Sequence, residues 1–326
     1  MALQLSEVPK QDDLYVSVLG VTVSIFTLLC TAFLCALEEI AEEAYQERKR
    51  VYEEFDMTAH RKNTPSSQSK LPQGEDKLFF ILRFLKQNSC HRTLAVDFGM
   101  GKSTAERYVQ ELLPVLLRAL SILGVLPERS FESAQAIEAY LNQLDVKELF
   151  VDASERSVQR SSDHAIQKEH YSGKKKRHTV KNTMITDNRK LILFLGFTVA
   201  GSTHDYSLFK SEFCPDEDWF EQFKIWLDLG YQGFQKMYKT METWIPIKKP
   251  RSSEKNPKPE LTPEQKSYNK EVSSKRIIVE HPFGGMKIFK VLTDTFRGRR
   301  DGFVDSVAII AAGIWNLKIK SKLKIL

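Results

Sequence analysis

Arg276, Glu280 and Lys287 follow one another with the spacing R-x3-E-x6-K near the C-terminal end of the chain. At about 100° per residue on a helix, these side chains fall within roughly 60° of one another, on a single face. A carboxylate with a cation one turn before it and another two turns after suits a site where the acid holds a metal ion and the cations hold phosphates. A solvated helix face with an Arg276–Glu280 pair is the plainer reading of the same residues. Two aspartates upstream add to the pattern: Asp152 in Glu148-Leu-Phe-Val-Asp152, and Asp228 in Ile225-Trp-Leu-Asp-Leu-Gly-Tyr-Gln-Gly233. Both are expected where strands end. Carboxylates drawn from two strand ends and a helix can bind two Mg2+ ions, with Mn2+ as a substitute, which is what in-line cleavage of a phosphodiester requires. An aspartate at a strand exit more commonly caps a turn, so the weight rests on Asp152, Asp228 and Glu280 jointly.

The elements that must position these acids are legible as patterns. Residues 147–153 read as a strand with Leu149 and Val151 on one face and Phe150 and Asp152 on the other. Residues 175–186 and 191–199 read as the next two strands, 225–227 as a short buried strand, and 244–247 as a fifth. Gly230 and Gly233 permit a sharp exit after Asp228. The helix carrying Glu280 is expected to start at Thr262-Pro-Glu-Gln265, with Thr262 capping and Gln265 closing a capping box, and to be interrupted at Pro282 and Gly284-Gly285. Residues 301–317 read as a closing helix with Phe303, Val307, Ile310, Ile314 and Leu317 inward.

Ahead of this region, residues 75–87, 91–98 and 102–120 read as three helices, with Gly99-Met-Gly101 before the third. Ser103 and Glu106 are spaced as a capping box, and Pro114 is expected to kink or end the long helix. A short helix, a glycine turn and a helix with a polar start form the helix-turn-helix arrangement, whose second helix enters the major groove. Lys102, Ser103, Thr104 and Arg107 are the residues expected against DNA; an ordinary helical hairpin with a solvated Arg107 is the alternative. Lys174, Lys175, Lys176 and Arg177, with His170 and His178 beside them, are expected to line the DNA channel, against a solvated hairpin turn or a nuclear-import run. His204 and Asp205 are read as structural, or as supporting the acids from behind, rather than as metal ligands.

The ordered set of segments resembles the DDE transposases of insertion sequences, specifically insertion-sequence family five, related to the Harbinger type. It comprises Val151-Asp-Ala-Ser-Glu-Arg-Ser-Val-Gln-Arg160, Tyr171-Ser-Gly-Lys-Lys-Lys-Arg-His-Thr179, Gly201-Ser-Thr-His-Asp205, Asp228-Leu-Gly-Tyr-Gln-Gly233, Pro246-Ile-Lys-Lys-Pro250 and Arg276-Ile-Ile-Val-Glu-His281. The resemblance implies an α/β fold: a ribonuclease-H-like mixed β-sheet flanked by helices, preceded by an all-α helix-turn-helix module. It implies Mg2+-dependent cutting and joining of double-stranded DNA at element ends and target, with Asp152, Asp228 and Glu280 as the catalytic, metal-binding acids. It favours DNA contact by the basic residues named above and by Arg276 and Lys287. Pairing two ends implies a homodimer in the DNA complex. A catalytically silent DNA-binding protein derived from a transposase is the alternative. The chain departs from the related Y-x2-R-x3-E-x6-K signature in one place: Ser273 stands where the tyrosine is expected.

Charge is unevenly spread. Residues 1–57 hold eleven acidic against four basic side chains, a balance of −7 in a chain of net +6, so the remaining residues carry +13. A basic body favours a polyanionic partner, with an attraction that weakens steeply in salt. The four cysteines (Cys30, Cys35, Cys90, Cys214) form no CxxC pair, no disulfide framework and no zinc-ligand spacing. They fit a reducing cytoplasm and a nucleoid-associated location, with Cys30 and Cys35 read as buried thiols.

From Leu14 to Leu37 no residue is charged, long enough for a membrane span. The same segment reads as a packing or dimer helix over 14–44, with Leu19, Val23, Phe26, Cys30, Phe33, Leu37, Ile40 and Ala44 on one seam. The acidic residues before it make it a poor signal peptide. The expected organisation is thus a helical leader (1–57), a linker (58–74), the helix-turn-helix (75–122) and the catalytic domain (145–320).

Overall fold

The computed structural model describes residues 3–54, 69–252, 259–298 and 300–326. The expected linker lies outside these as far as residue 68, as does Arg299. The chain divides into two compact units: residues 1–126, 287–294 and 298–326 form one, and residues 127–286 with 295–297 form the other.

The first unit is helical. The apolar N-terminal run is two helices, α1 (Asp12–Leu19) and α2 (Val23–Glu54), broken at Gly20, which adopts φ 82°. The Asp12 carboxylate reaches forward to accept the Val23 amide at 2.8 Å, so an acid at the start of α1 caps α2. Phe26, Cys30 and Phe33 are buried as the seam requires, but Ile25, Leu29, Ala32 and Ala36 are buried beside them, while Ala44 is exposed. The buried face is therefore wider and shorter than a single seam. Cys35 is exposed rather than buried, on the Thr31 side of the helix. By length and composition α2 could cross a bilayer; in the fold its apolar face packs on the helices of the next module.

That module comprises α3 (Gly74–Gln87), α4 (His91–Asp97) and α5 (Lys102–Ile122), with Phe79, Phe80, Phe98 and Tyr108 packed edge-on at its centre. Gly101 caps α5, so Ser103 is already inside the helix and the expected capping box does not form. Glu106 instead faces His91 at 3.9 Å. Pro114 neither ends α5 nor meets the core; it lies on the exposed face and the helix continues to Ile122. Arg118 on α5 forks onto Glu39 and Glu43 of α2.

The second unit is built on a mixed sheet. After α6 (Ala134–Gln143), β1 (Glu148–Ser157) enters, followed by α7 (His164–His170), β2 (Tyr171–Ser172), β3 (Arg177–Thr186), β4 (Ile192–Leu195), β5 (Val199–Ala200) and α8 (Asp205–Glu212). Then come β6 (Phe220–Trp226), α9 (Phe234–Met237), β7 (Thr240–Trp244) and α10 (Pro263–Met286). The strand order is β2-β3-β1-β6-β7, with β4 and β5 also pairing on β3. β1 is antiparallel to β3 and parallel to β6, and β7 continues the parallel part. This is the ribonuclease-H-like mixed sheet that the resemblance implied.

Two strand boundaries differ from expectation. The strand expected over 191–199 is split into β4 and β5 at Gly196, against which the Glu212 carboxylate packs where a Cβ would stand. The strand expected at 244–247 instead ends at Trp244, paired with Trp226; Pro246 has no amide to donate to a ladder.

The last helix, α11 (Phe303–Leu323), buries Val307, Ile310, Ile314 and Leu317 as expected. It does so within the first unit, against α5, rather than closing the catalytic sheet. The Asn316 amide donates to the Val125 carbonyl at 3.0 Å.

Candidate active site

Strand register brings two of the expected acids together. Phe150 on β1 is the parallel partner of Trp226 on β6, so Asp152 and Asp228 each stand two residues beyond the same rung. β1 itself runs on to Ser157 because β3 continues beside it. Asp152 is therefore at the end of the parallel ladder rather than at the end of its strand. The residues before both acids are fully buried: Leu149, Phe150 and Val151 on β1, Ile225 and Leu227 at the end of β6. An apolar core thus grips each strand up to the point where its carboxylate emerges. Asp228 accepts the Gly230 amide at 2.6 Å and starts a turn of 3-10 helix. A Cβ on residue 230 would stand 2.8 Å from that carboxylate oxygen, so glycine is what lets the acid hold this pose.

α10 packs on β1, β3 and β6. Its start is the expected capping box: Thr262 Oγ1 accepts the Gln265 amide at 3.2 Å and Gln265 Oε1 accepts the Thr262 amide at 3.0 Å. Asn269 grips the chain after β7 by bonding both the amide and the carbonyl of Ile247. Val272, Val279 and Phe283 are buried at helical spacing, and Arg276 lies on the same face. Its guanidinium donates to Asp152 Oδ2 at 3.3 Å.

Glu280 sits about 70° from the centre of that buried face and is exposed. Among the described residues, no group of three Asp, Glu, His or Cys side chains is close enough to hold a metal ion. The structure thus brings Asp152, Asp228 and Arg276 together and leaves Glu280 outside them. Pro282 does not interrupt α10, which runs to Met286; Lys287 falls one residue past its end.

The acids strain against one another. The Asp152 carboxyl is raised to about 6: burial pushes it up, Arg276 and the Ala153 amide pull it down, and Asp228 and Asp205 add to the rise. Asp205 thus belongs to the same field of charge, a position from which it can support the acids. It is held at 2.8 Å by Lys181, a buried cation that also lies 3.8 Å from Glu155. Burial likewise lifts Glu212 up to about 7, against the pull of Thr183 and Arg129. Tyr231 is fully buried next to this group, its phenol raised by burial first and then by Asp152, Asp205, Asp228 and Glu212. The Asp-x-Gly-Tyr spacing was the available signal for Tyr231. Nothing in the sequence marked Lys181, a lysine between buried strand residues.

The basic residues take exposed positions. Lys174, Lys175 and Lys176 form the turn between β2 and β3, and Arg177 opens β3; all four are exposed. Lys176 has a positive φ of 55°. In the helical unit Lys102, Ser103 and Arg107 are exposed along the first turns of α5, and Thr104 is half-buried. Arg107 pairs with Glu111 at 3.1 Å and its guanidinium lies over the Tyr108 ring.

Residues 151–316 match the family described as DDE superfamily endonuclease. Residues 69–122 match the helix-turn-helix of DDE superfamily endonuclease. The chain is 29% identical, over 249 residues, to a protein of Microchaete diplosiphon named "Probable transposase for insertion sequence element IS702". That likeness covers 76% of this chain and 82% of the other. No solved structure gives a significant match.

Proposed function

We propose that this chain, which belongs to the DDE superfamily endonucleases, binds the terminal inverted repeats of a mobile element and catalyses Mg2+-dependent strand cleavage and strand transfer. It is a transposase of that superfamily with a helix-turn-helix DNA-binding domain. The observation that carries the reading is the shared rung Phe150–Trp226, which sets Asp152 and Asp228 side by side just past the end of the parallel ladder.

Asp152 and Asp228 offer donors that suit a hard divalent cation, while Glu280 lies apart from them in the free protein. Two carboxylates converge with their charges uncompensated beyond one arginine, and hard oxygen donors suit Mg2+. Asp152 and Asp228 would hold such ions, and Glu280 would have to join them from its exposed position on α10. Bound there, such ions lower the pKa of an attacking water and stabilise the leaving 3′ oxygen. Arg276 neutralises Asp152 in the free protein and can pass to a DNA phosphate when the acid is otherwise engaged. The Lys174–Arg177 turn and the N-terminal turns of α5 neutralise phosphates and seat the duplex. Two copies acting on paired ends, in the cytoplasm at the nucleoid, complete the proposal.

The test is cleavage of DNA carrying the inverted repeats that flank the gene, with Mg2+ or Mn2+ against a chelator. Wild type should nick the ends, and Asp152→Ala should bind them without cutting. A wild type that binds the ends and never cuts them points instead to the silent DNA-binding protein, a reading favoured by the exposure of Glu280.

A further inference from the structure

Tyr231 is a fully enclosed polar side chain near the acids. Its accessible surface is 0%, and its hydroxyl has no hydrogen-bond partner among the described residues. Its ring is fixed from two sides, edge-on to Phe209 at 5.8 Å and tilted against Tyr206 at 6.0 Å. Phe209 is itself fully buried, so the phenol cannot swing out to solvent. The Tyr231 amide donates to the Asp228 carbonyl at 3.2 Å, so the ring leaves the turn that carries that acid; Asp152, Asp205, Asp228 and Glu212 all raise its phenol, and it bonds to none of them directly. Asp152 is engaged elsewhere: one oxygen accepts the Ala153 amide at 2.8 Å and the other faces Arg276.

A buried hydroxyl without a partner is costly, and replacing it by a hydrogen on the same ring would remove the cost without changing the packing. A rigid O–H donor enclosed beside carboxylates can serve them. It can orient an acid oxygen, or a water held by that acid, once the arginine has left.

We propose that Tyr231 is a positioning residue of the acid site, its phenol O–H donating to the Asp152 carboxylate, directly or through one water, when a divalent cation binds beside Asp228. The role rests on the metal-dependent reading of the site above. No bond is made or broken at Tyr231; the phenol keeps its proton and acts only as a donor. Partners of this outer kind change metal affinity by about 10–100-fold when removed.

The decisive measurement is Mn2+ binding to the full chain without DNA, followed by electron paramagnetic resonance of the free ion. Tyr231→Phe should bind Mn2+ about tenfold more weakly than wild type. In chelator its melting temperature should equal or exceed that of wild type. Tyr206→Phe, which removes a neighbouring hydroxyl also lacking a partner among the described residues, should bind as wild type does. Equal Mn2+ affinity in Tyr231→Phe and wild type overturns the role of Tyr231 alone. A wild type that takes up no Mn2+, or loses none of its affinity on Asp152→Asn, overturns the reading of the site itself. Should Tyr231→Phe not fold, 3-fluorotyrosine placed at position 231 supplies the second measurement. Its fluorine resonance should move with added Mg2+ and saturate, and a resonance that stays still refutes the proposal.

Discussion

Replacing Asp152 with asparagine should stabilise the metal-free protein while destroying its proposed activity. The Asp152 carboxyl is raised from 3.8 to about 6, chiefly by burial and then by Asp228 and Asp205, with Arg276 already acting in the opposite direction. Because the folded value lies above the unfolded one, the stability due to the protonated acid is complete below pH 3.8 and is lost as pH rises through about 6. A shift of about two units at ~1.4 kcal/mol per unit makes the ionised acid cost about 3 kcal/mol at pH 8. Asparagine mimics the protonated acid in shape and charge, so Asp152→Asn should gain about that much at pH 8 and almost nothing near pH 4. For a unit of this size the gain corresponds to about 6–12 °C in melting temperature. Glu212 titrates in both proteins and cancels in the difference. The assay is thermal unfolding in chelator across pH 4 to 8. Tryptophan fluorescence reports mainly on the sheet unit, which contains Trp219, Trp226 and Trp244. Mg2+ should then stabilise wild type and leave the variant unmoved, because only a binding-competent native state gains from ligand. An Asp152→Asn protein no more stable than wild type at pH 8 without metal would refute the account of these acids.

Other substitutions test separate parts of the site. Gly230→Ala puts a Cβ at 2.8 Å from the Asp228 oxygen; it should cost about 1–2 kcal/mol and lower cleavage at least about tenfold, measured by unfolding and end-nicking side by side. Glu280→Gln should leave metal-free stability within about 0.5 kcal/mol of wild type, since the side chain is exposed. It should nevertheless abolish cutting, and a variant that cuts normally shows that another acid, with Asp205 the nearest candidate, fills the third place. Neutralising Lys174, Lys175, Lys176 and Arg177 together should flatten the dependence of log K on log salt by about 0.9 for each phosphate no longer neutralised, read by fluorescence anisotropy on end DNA. Thr262→Ala removes half of the capping box and should cost about 1 kcal/mol of stability without altering Mn2+ affinity.

Local chemistry made much of this protein legible before any coordinates. Helix periodicity located α3, α4 and α5; Thr262 and Gln265 marked the start of α10; alternating and continuous apolar runs marked β1, β3 and β6. These are decided within a turn or a few residues, where propensity and side-chain spacing act directly. Two of the boundaries that went astray are ones where a partner farther along the chain intervened. Glu212 packing against Gly196 split a strand, and Asp12 capping Val23 broke one long apolar helix into two. Ser103 lost its capping role because Gly101 had already begun the helix.

What the chain declared by itself was its inventory: Asp152, Asp228 and Glu280 in an ordered series of recognisable segments, and a basic body suited to DNA. Only the tertiary structure decided which charges meet. The parallel register between β1 and β6 aligns Asp152 with Asp228, and α10 turns Arg276 inward while Glu280 stays in solvent. The same packing draws Asp205, Lys181 and Tyr231 into one group, of which the Asp-x-Gly-Tyr spacing had pointed only to Tyr231, and sends α11 to the helical unit. Those outcomes depend on strand register and helix rotation, which residues far apart along the chain settle together, so no local pattern could have specified them.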